Sequence, residues 1–338
     1  MTMLHSVAHW RLRARLKTAI RAFFEARGYL ELDTPIAVVC PGTEVHLGYF
    51  ETAWRDHAGR VHPLYLRSSP ELHLKQAVAA GVERVFQLAP CFRNDGELSP
   101  WHHPEFTMLE WYETGIAFDA FVTQTEELMR STHAALAPWV QRELGVEPLR
   151  LPARFPRVTV AEAFREFAGV ALHDGDPDLA VKGTAAGAIS LNPTDDFETA
   201  FFKLLIERVE PGLVALGGAV LLDYPPSQAA LATVEGGVAK RFEFYLERVE
   251  LCNGFKELLD LATNRARIGA NLAARRALGA AVPAEDADFY AAIAAGLPPS
   301  CGNALGFDRW LALLCGDAAR GLERAIPFRR AQPFREPG

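Results

Sequence analysis

Cysteine is scarce in this 338-residue chain: there are five, Cys40, Cys91, Cys252, Cys301 and Cys315, and no two stand at Cys-x-x-Cys spacing. An odd count without paired spacing excludes a disulfide framework, argues against a structural zinc site and fits a reducing compartment. Long apolar runs are missing too. The longest uncharged one, Leu213 to Leu222, holds two glycines and is far too short to span a bilayer. Residues Met1 to Leu16 carry His5, His9, Arg11, Arg13 and Arg15 and no apolar leader core. An excess of positive charge is also absent. Lys and Arg number 35 against 42 Asp and Glu, a net charge of −7, which argues against general nucleic-acid binding while leaving room for a local basic patch. There is no internal repeat, no low-complexity linker, and no Walker A or Rossmann fingerprint. What remains is a chain 49% hydrophobic and 23% charged, enough to bury a core, and its expected location is the cytoplasm.

Periodicity predicts a helix over 8–27, with Trp10, Leu12, Leu16, Ile20, Phe23 and Phe24 near helical spacing and Gly28 as its C-cap. Tyr29 to Pro35 alternates like a strand and stops at proline. Short strands are expected at Leu64–Arg67, Val85–Phe92 and Phe106–Tyr112, the last with Glu110 and Tyr112 on one side. Pro70–Ala80 reads as a helix with proline in its first turn. Helices are expected at 119–135, 159–168, Phe197–Val209, 257–278 and Leu305–Cys315. The proline-rich stretch Leu136–Pro156 shows no period, and 175–195 reads as loop with a short helix. Gly217–Leu222 and Arg241–Val249 read as strands, with a turn at Asp223–Ser227. Strands separated by long helical insertions without regular βαβ alternation predict an α+β fold with a largely antiparallel sheet and no evident domain boundary.

Three segments carry chemistry. The first is the polar run from Cys91 to Phe106, holding Arg93, Asn94, Asp95, Glu97, His102 and His103 between two strands. It is either a solvated hairpin loop or a phosphate site, for which arginine offers bidentate bonding. The second runs from Arg241 through Glu243, Glu250, Asn253, Phe255 and Glu257. Its acids are either a charged strand face or two carboxylates converging on a magnesium ion with substrate phosphates. Glu243 and Glu250 have opposite parity, so a bulge or bend is needed to bring them together, and Asn253-Gly254 is expected to be a tight turn aiming Phe255 and Glu257 into a pocket. The third is Ser300 to Arg309, where glycines before a helix allow close approach to a ligand or simply close packing.

Together these segments resemble the signature of the class II aminoacyl-tRNA synthetases. Gly28–Pro35 resembles motif 1, Phe92–Glu105 motif 2 with Arg93 as its arginine, and Gly302–Arg309 motif 3 with Arg309 as its arginine. Ser69-Pro-Glu71, His103 to Tyr112 and Asn253-Gly-Phe-Lys-Glu257 resemble the lysine-specific branch. Two departures stand out: motif 1 begins within the first 30 residues, leaving no space for an anticodon-binding barrel, and Ala304 replaces the middle glycine of Gly-x-Gly-x-Gly. With Leu109-Glu110-Trp111-Tyr112, both are similar to the synthetase paralogues that modify elongation factor P.

The resemblance implies a class II catalytic domain of α+β type, mostly antiparallel sheet flanked by helices. It would be a single domain over 1–338 and a ligase using ATP and Mg²⁺. In that branch (R)-β-lysine, or lysine, is activated as an adenylate and transferred to a lysine side chain of elongation factor P. Arg93 and Arg309 would be catalytic. ATP would be bound by Arg93, Asn94, Asp95 (where the family has glutamate), His102, His103 (in place of asparagine), Glu250, Leu251, Gly306 and Arg309. Substrate would be bound by Ser69, Glu71, Glu110, Tyr112, Asn253, Phe255, Glu257 and Ala304, with Glu257 and Tyr112 on the side-chain ammonium and the Ala304 methyl narrowing the space around the α-carbon. Glu243 and Glu250 would hold the metal. A homodimer through motif 1 and no stable tRNA binding are expected. Two other readings stand beside this one: a truncated lysyl-tRNA synthetase-like enzyme serving another acceptor, and a non-catalytic sensor of lysine or adenylate, against which intact Arg93, Glu250 and Arg309 count.

Overall fold

The structure, a computed structural model, describes residues 7–96, 99–316 and 318–327. Glu97, His5 and the two ends of the 1–338 span lie outside the described residues. The chain opens with α1 (Val7–Glu25), β1 (Leu30–Glu31), β2 (Ala37–Val38), β3 (Phe50–Arg55), β4 (Val61–Leu66), α2 (Glu71–Ala79), β5 (Arg84–Phe92) and β6 (Glu105–Thr114). It continues with α3 (Phe118–Leu144), β7 (Arg157–Thr159), α4 (Val160–Ala163), α5 (Leu179–Ala185), α6 (Phe197–Leu204), α7 (Glu210–Ala215) and β8 (Ala219–Tyr224). It ends with β9 (Val234–Glu235), β10 (Val238–Leu246), β11 (Val249–Lys256), α8 (Leu261–Ala277), α9 (Ala287–Gly296), β12 (Ser300–Gly306) and α10 (Phe307–Leu314).

The main sheet runs in the order β1-β5-β6-β12-β11-β10-β8-β7, with β9 on β10, and a smaller sheet has the order β2-β4-β3. Among the described residues only β1–β5 and β7–β8 pair in parallel, so the expected α+β fold with a largely antiparallel sheet is what forms. One sheet face is apolar. Phe86, Leu109, Trp111, Leu305, Cys252, Phe242 and Phe244 meet α1, α3 and α10 in the principal core, to which α1 contributes Leu12, Leu16, Ile20 and Phe24. A second core joins α4–α7 to β8 around Phe164, Phe201 and Leu221. A third packs α2, α8 and α9 against the sheet edge through Leu74, Val78, Ile268 and Phe289. The opposite face of the central strands is left for the site.

Several local expectations are corrected. The strand expected over Tyr29–Pro35 pairs only at Leu30 and Glu31, because Arg67 caps the following carbonyls, donating to Thr34 and Pro35. Helix α3 does not stop near 135 but continues through Pro138 to Leu144. Leu136, Trp139 and Val140 prolong its buried stripe, and that packing outweighs the single backbone hydrogen bond proline removes. The expected strand Arg241–Val249 is two strands, reversed at Glu247 and Arg248, which have φ of 50° and 64°. The reversal escaped notice because neither residue is glycine or asparagine. Asn253-Gly254 is not a turn: both lie inside β11, and Gly254 is there because a Cβ would sit 2.4 Å from the Phe242 ring. The glycines of Gly302–Gly306 lie in strand β12, in the middle of the sheet, and the helix starts at Phe307 rather than Leu305. Helix α8 starts at Leu261 rather than 257. All five cysteines are buried thiols. No described helix is long and apolar enough to cross a membrane.

Candidate active site

Register places the polar residues. On the face opposite the principal core, Glu110 pairs with Ala304, Ala304 with Asn253 and Asn253 with Glu243, forming one row across β6, β12, β11 and β10. The next row is Tyr112, Gly302, Phe255 and Arg241. The parity conflict between Glu243 and Glu250 is resolved by the hairpin itself, since Glu250 pairs with Tyr245, two residues from Glu243. The expected bulge exists, between Phe244 and Tyr245 in the register, but it serves another purpose. Leu251 is the extra residue, and it shifts Asn253 and Phe255 onto the face of Glu250.

Every residue singled out from the sequence lines a single cleft over this face: Ser69, Glu71, Arg93, Asn94, Asp95, His102, His103, Glu110, Tyr112, Glu243, Glu250, Leu251, Asn253, Phe255, Glu257, Ala304, Gly306 and Arg309. The cleft has two chemically distinct ends.

At one end stand the arginines. Arg93 follows β5, its backbone N–H donating to Pro104 O at 3.0 Å and its guanidinium 5.1 Å from the Phe106 ring centre. Its buried Nε has no hydrogen-bond partner in the protein, and a buried donor without a partner is costly. That is the signature of a group waiting for an anion. Arg309 donates to Glu250 O at 2.8 Å and lies 3.2 Å from His102 Nε2, whose Nδ1 is 2.6 Å from Ser99 Oγ. The Arg309 stem runs over Gly306, where a Cβ would come within 3.2 Å of it. Asn94 is tied through its N–H to Gly48 O, and Asp95 takes a left-handed φ of 51° at the loop's start. His103 Nδ1 is turned to Glu105 O.

Beside them sit Glu243 and Glu250. Glu243 is paired with Arg241 and accepts from Tyr245 Oη at 2.7 Å. Burial, and next the negative charge of Glu243, raise the pKa of Glu250 against the pull of Arg309, Arg241 and Arg93. Two neighbouring carboxylates are hard oxygen donors of the kind a magnesium ion takes, with Arg241 and Arg309 paired to them in the empty cleft. Among the described residues no group of three or more His, Cys, Asp or Glu could hold a metal, so most of such an ion's shell would be water and phosphate oxygens, as magnesium prefers.

At the other end is an acidic pocket. Glu110, 1% exposed, accepts from Ser69 Oγ and Tyr112 Oη, both at 2.7 Å. Burial, then Glu71 nearby, push its pKa up to about 8. Glu257 is pushed up to about 7 by burial, against the opposing pull of Lys75. Gly302 makes the meeting possible: a Cβ there would lie 2.2 Å from the Tyr112 ring and 2.5 Å from Glu257 Oε1.

Sequence reasoning missed two residues here. Lys75 is buried, its Nζ 2.5 Å from Glu71 Oε1 and 2.6 Å from Glu257 Oε2. It shares the apolar stripe of α2 with Leu72 and Val78, and a lysine in such a stripe was the available signal. Arg241, which opened the second segment but was given no role, is half-buried over the Tyr224 ring at 4.4 Å and donates to Asn253 Oδ1 and Gln228 O.

Comparison with known proteins agrees with this geometry. The chain is 35% identical over 332 residues to the elongation factor P–(R)-β-lysine ligase of Vibrio cholerae, covering 96% of this chain and 97% of that one. It is 33% identical to the proteins of the same name from Histophilus somni and Proteus mirabilis, over 96% of this chain and 95% and 97% of theirs. Residues 4–332 match the class II tRNA synthetases of the D, K and N group. With a largely antiparallel sheet that carries one arginine beside β5 and a second in the helix after β12 at one end of its cleft, and a carboxylate pocket at the other, this chain belongs to the class II tRNA synthetase family.

Proposed function

We propose that this chain joins ATP to (R)-β-lysine, or lysine, as an aminoacyl-adenylate, and transfers the aminoacyl group to a lysine side chain of elongation factor P. The names of its relatives support the substrates. The observation that carries the reading is the placing of unpartnered Arg93 Nε in the same cleft as Glu110, a buried carboxylate bonded only to hydroxyls. An amino acid spanning the two would offer its carboxylate to Arg93 and an ammonium to Glu110.

The chemistry is then positioning and charge stabilisation. A carboxylate oxygen of the substrate attacks the α-phosphorus, a P–O bond forms, and pyrophosphate leaves. Arg93 and Arg309 stabilise the charge that builds up on the transferring phosphate. A magnesium ion held by Glu243 and Glu250 supplies further neutralisation of the phosphates when bound. In the second step the deprotonated amine of the acceptor attacks the carbonyl carbon, the C–N bond forms and AMP leaves with the C–O electron pair. The Asp95, His102 and His103 loop is assigned to the adenine side, with Asn94, Leu251 and Gly306 around the nucleotide. Ser69, Glu71, Tyr112, Asn253, Phe255, Glu257 and Ala304 surround the amino acid. We read residues 1–338 as one catalytic unit.

Assembly as a homodimer belongs to the same reading. The apolar stripe of α1 is spent within its own chain, so the contact falls to exposed Leu30, Ile36 and Val39 beside it. A monomer by light scattering at micromolar concentration overturns this. The net charge of −7 supports weak tRNA binding; an affinity tighter than about 1 μM at physiological salt contradicts it.

The deciding experiment is mass spectrometry of elongation factor P incubated with this protein, ATP and either β-lysine or α-lysine. The expected result is the mass of one lysyl residue added to a single lysine. Lysine-dependent pyrophosphate exchange without modification points instead to another acceptor, and absence of exchange overturns the reading.

A further inference from the structure

Three carboxylates converge where α2, β6 and the end of β11 meet: Glu71, Glu110 and Glu257. One cation stands among them. The Lys75 side chain is 3% exposed, and its ammonium touches Glu71 and Glu257 but not Glu110 among its hydrogen-bond and ion-pair partners. Burying a lysine is costly unless its charge is matched, and here two carboxylates match it. Burial lowers the Lys75 pKa, but Glu257 and Glu71 outweigh it, so the ammonium stays charged. Glu110 is hydrogen-bonded to the hydroxyls of Ser69 and Tyr112, and Glu71, Lys75 and Arg67 are its charged neighbours, Lys75 acting on it at longer range than on Glu71 and Glu257. Cys301 is the remaining titratable group near Glu257.

We infer that Lys75 is a positioning residue that sets both the aim and the net charge of this pocket. Its ammonium fixes the Glu71 and Glu257 side chains and cancels one of three negative charges. With all three carboxylates ionised, the form that bound ammonium groups favour, the pocket carries a formal charge of minus two and is complementary to an amino acid with two ammonium groups. This rests on the proposed function and deepens it: the substrate class is the diamino acids, and an acid with a single ammonium leaves one buried carboxylate uncompensated. Without Lys75, three carboxylates would share a dry site, and like charges at close range do not all ionise.

The test is Lys75→Met, which keeps the length of the stem and removes the charge, assayed by pyrophosphate exchange with lysine, β-lysine and norleucine. KM for the diamino acids is expected to rise tenfold or more, with kcat changed less than threefold. The rising limb of kcat/KM against pH should move to higher pH, and discrimination against norleucine should shrink. Lys75→Arg, which keeps the charge, should return the limb to its wild-type position. A Lys75→Met protein that melts like wild type, keeps KM within threefold and shows an unmoved pH profile overturns the inference. Should Lys75→Met not fold, the double variant Lys75→Met/Glu257→Gln carries the test alone. Its pocket retains a charge of minus two, whereas Glu257→Gln alone has minus one, so the double variant must bind lysine more tightly than Glu257→Gln. The reverse order refutes the charge assignment. Wild-type exchange with an indifferent Lys75→Met overturns this inference alone; no exchange by wild type overturns the proposed function and the inference with it.

Discussion

Binding of lysine should release a proton, and the group that loses it should be Glu110. The carboxyl is 1% exposed and its pKa is pushed up to about 8, so in the empty pocket at pH 7 only about one molecule in ten carries the charge. An ammonium arriving beside it favours the ionised form. Affinity for lysine should therefore climb about fivefold from pH 7 to 8, as the fraction of ionised empty pockets goes from about a tenth to about a half, before the ligand's own α-ammonium begins to lose its proton. The same shift fixes the sign of the stability effect. A carboxyl whose folded pKa lies above its ordinary value of 4.5 holds its proton more tightly when folded, so the empty protein loses stability as pH rises from about 4.5 to about 8. The loss runs at about 1.4 kcal/mol per unit and levels off above that range. Glu257, pushed up to about 7, acts in the same direction. Calorimetric titration with lysine at pH 7 in two buffers of different ionisation enthalpy measures the proton directly. Glu110→Gln should reduce the release to the share that Glu257 contributes and weaken binding by about 3–5 kcal/mol, the cost of a buried charge losing its partner. No proton release at pH 7, or an affinity that does not change from pH 6 to 8, refutes the assignment.

Three further outcomes follow from the geometry. Gly302→Ala places a methyl 2.2 Å from the Tyr112 ring, so it should cost about 1–3 kcal/mol of stability and displace Tyr112 and Glu257; thermal melts and the KM for lysine check both. Arg93→Lys keeps the charge but loses the bidentate fork and should lower the rate of pyrophosphate exchange about 10²–10³-fold, the scale of removing one preorganised donor, with a wild-type melting temperature. Ala304 sits between Glu110 and Asn253 with its methyl on the cleft face. Ala304→Gly should move the ratio of adenylation efficiencies towards α-lysine over β-lysine by about 10–200-fold; an unchanged ratio makes Ala304 a packing residue only.

How much of this could be read from the sequence depended on how far apart the interacting residues lie. The helix of Leu12, Leu16, Ile20 and Phe24 was visible because its signal is local, and so was the shared face of Glu110 and Tyr112, which the structure ties with a hydrogen bond. The residues of the cleft were found together through the resemblance of three separated motifs, which no local period would have joined. The misreadings came where a local cue met a distant partner. Asn253-Gly254 looks like a turn until Phe242 fills the space a side chain would need. Pro138 looks like a helix end until Trp139 and Val140 are seen in the core. Glycines before Arg309 look like a loop until the strands on either side supply the ladder. Lys75 showed locally only as a lysine in an apolar stripe four residues after Glu71; what gives it meaning, Glu257, lies 182 positions away.

The single extra residue in β11 governs more than local shape. Leu251 separates Glu250, at the arginine end of the cleft, from Asn253, Phe255 and Glu257, which follow on the same face toward the acidic end. Because strand residues alternate between faces, the two groups share the cleft only while that one-residue offset persists. Deleting Leu251 would leave the nucleotide half in place and roll the amino-acid half through the sheet, sending Glu257 toward the side of the principal core and bringing Lys256 round to the cleft. The two halves of the cleft are thus held in phase by one inserted leucine, itself part of the lining, and on the proposed reading a chain one residue shorter at this point would have the parts for activating ATP without the means to choose what it is joined to.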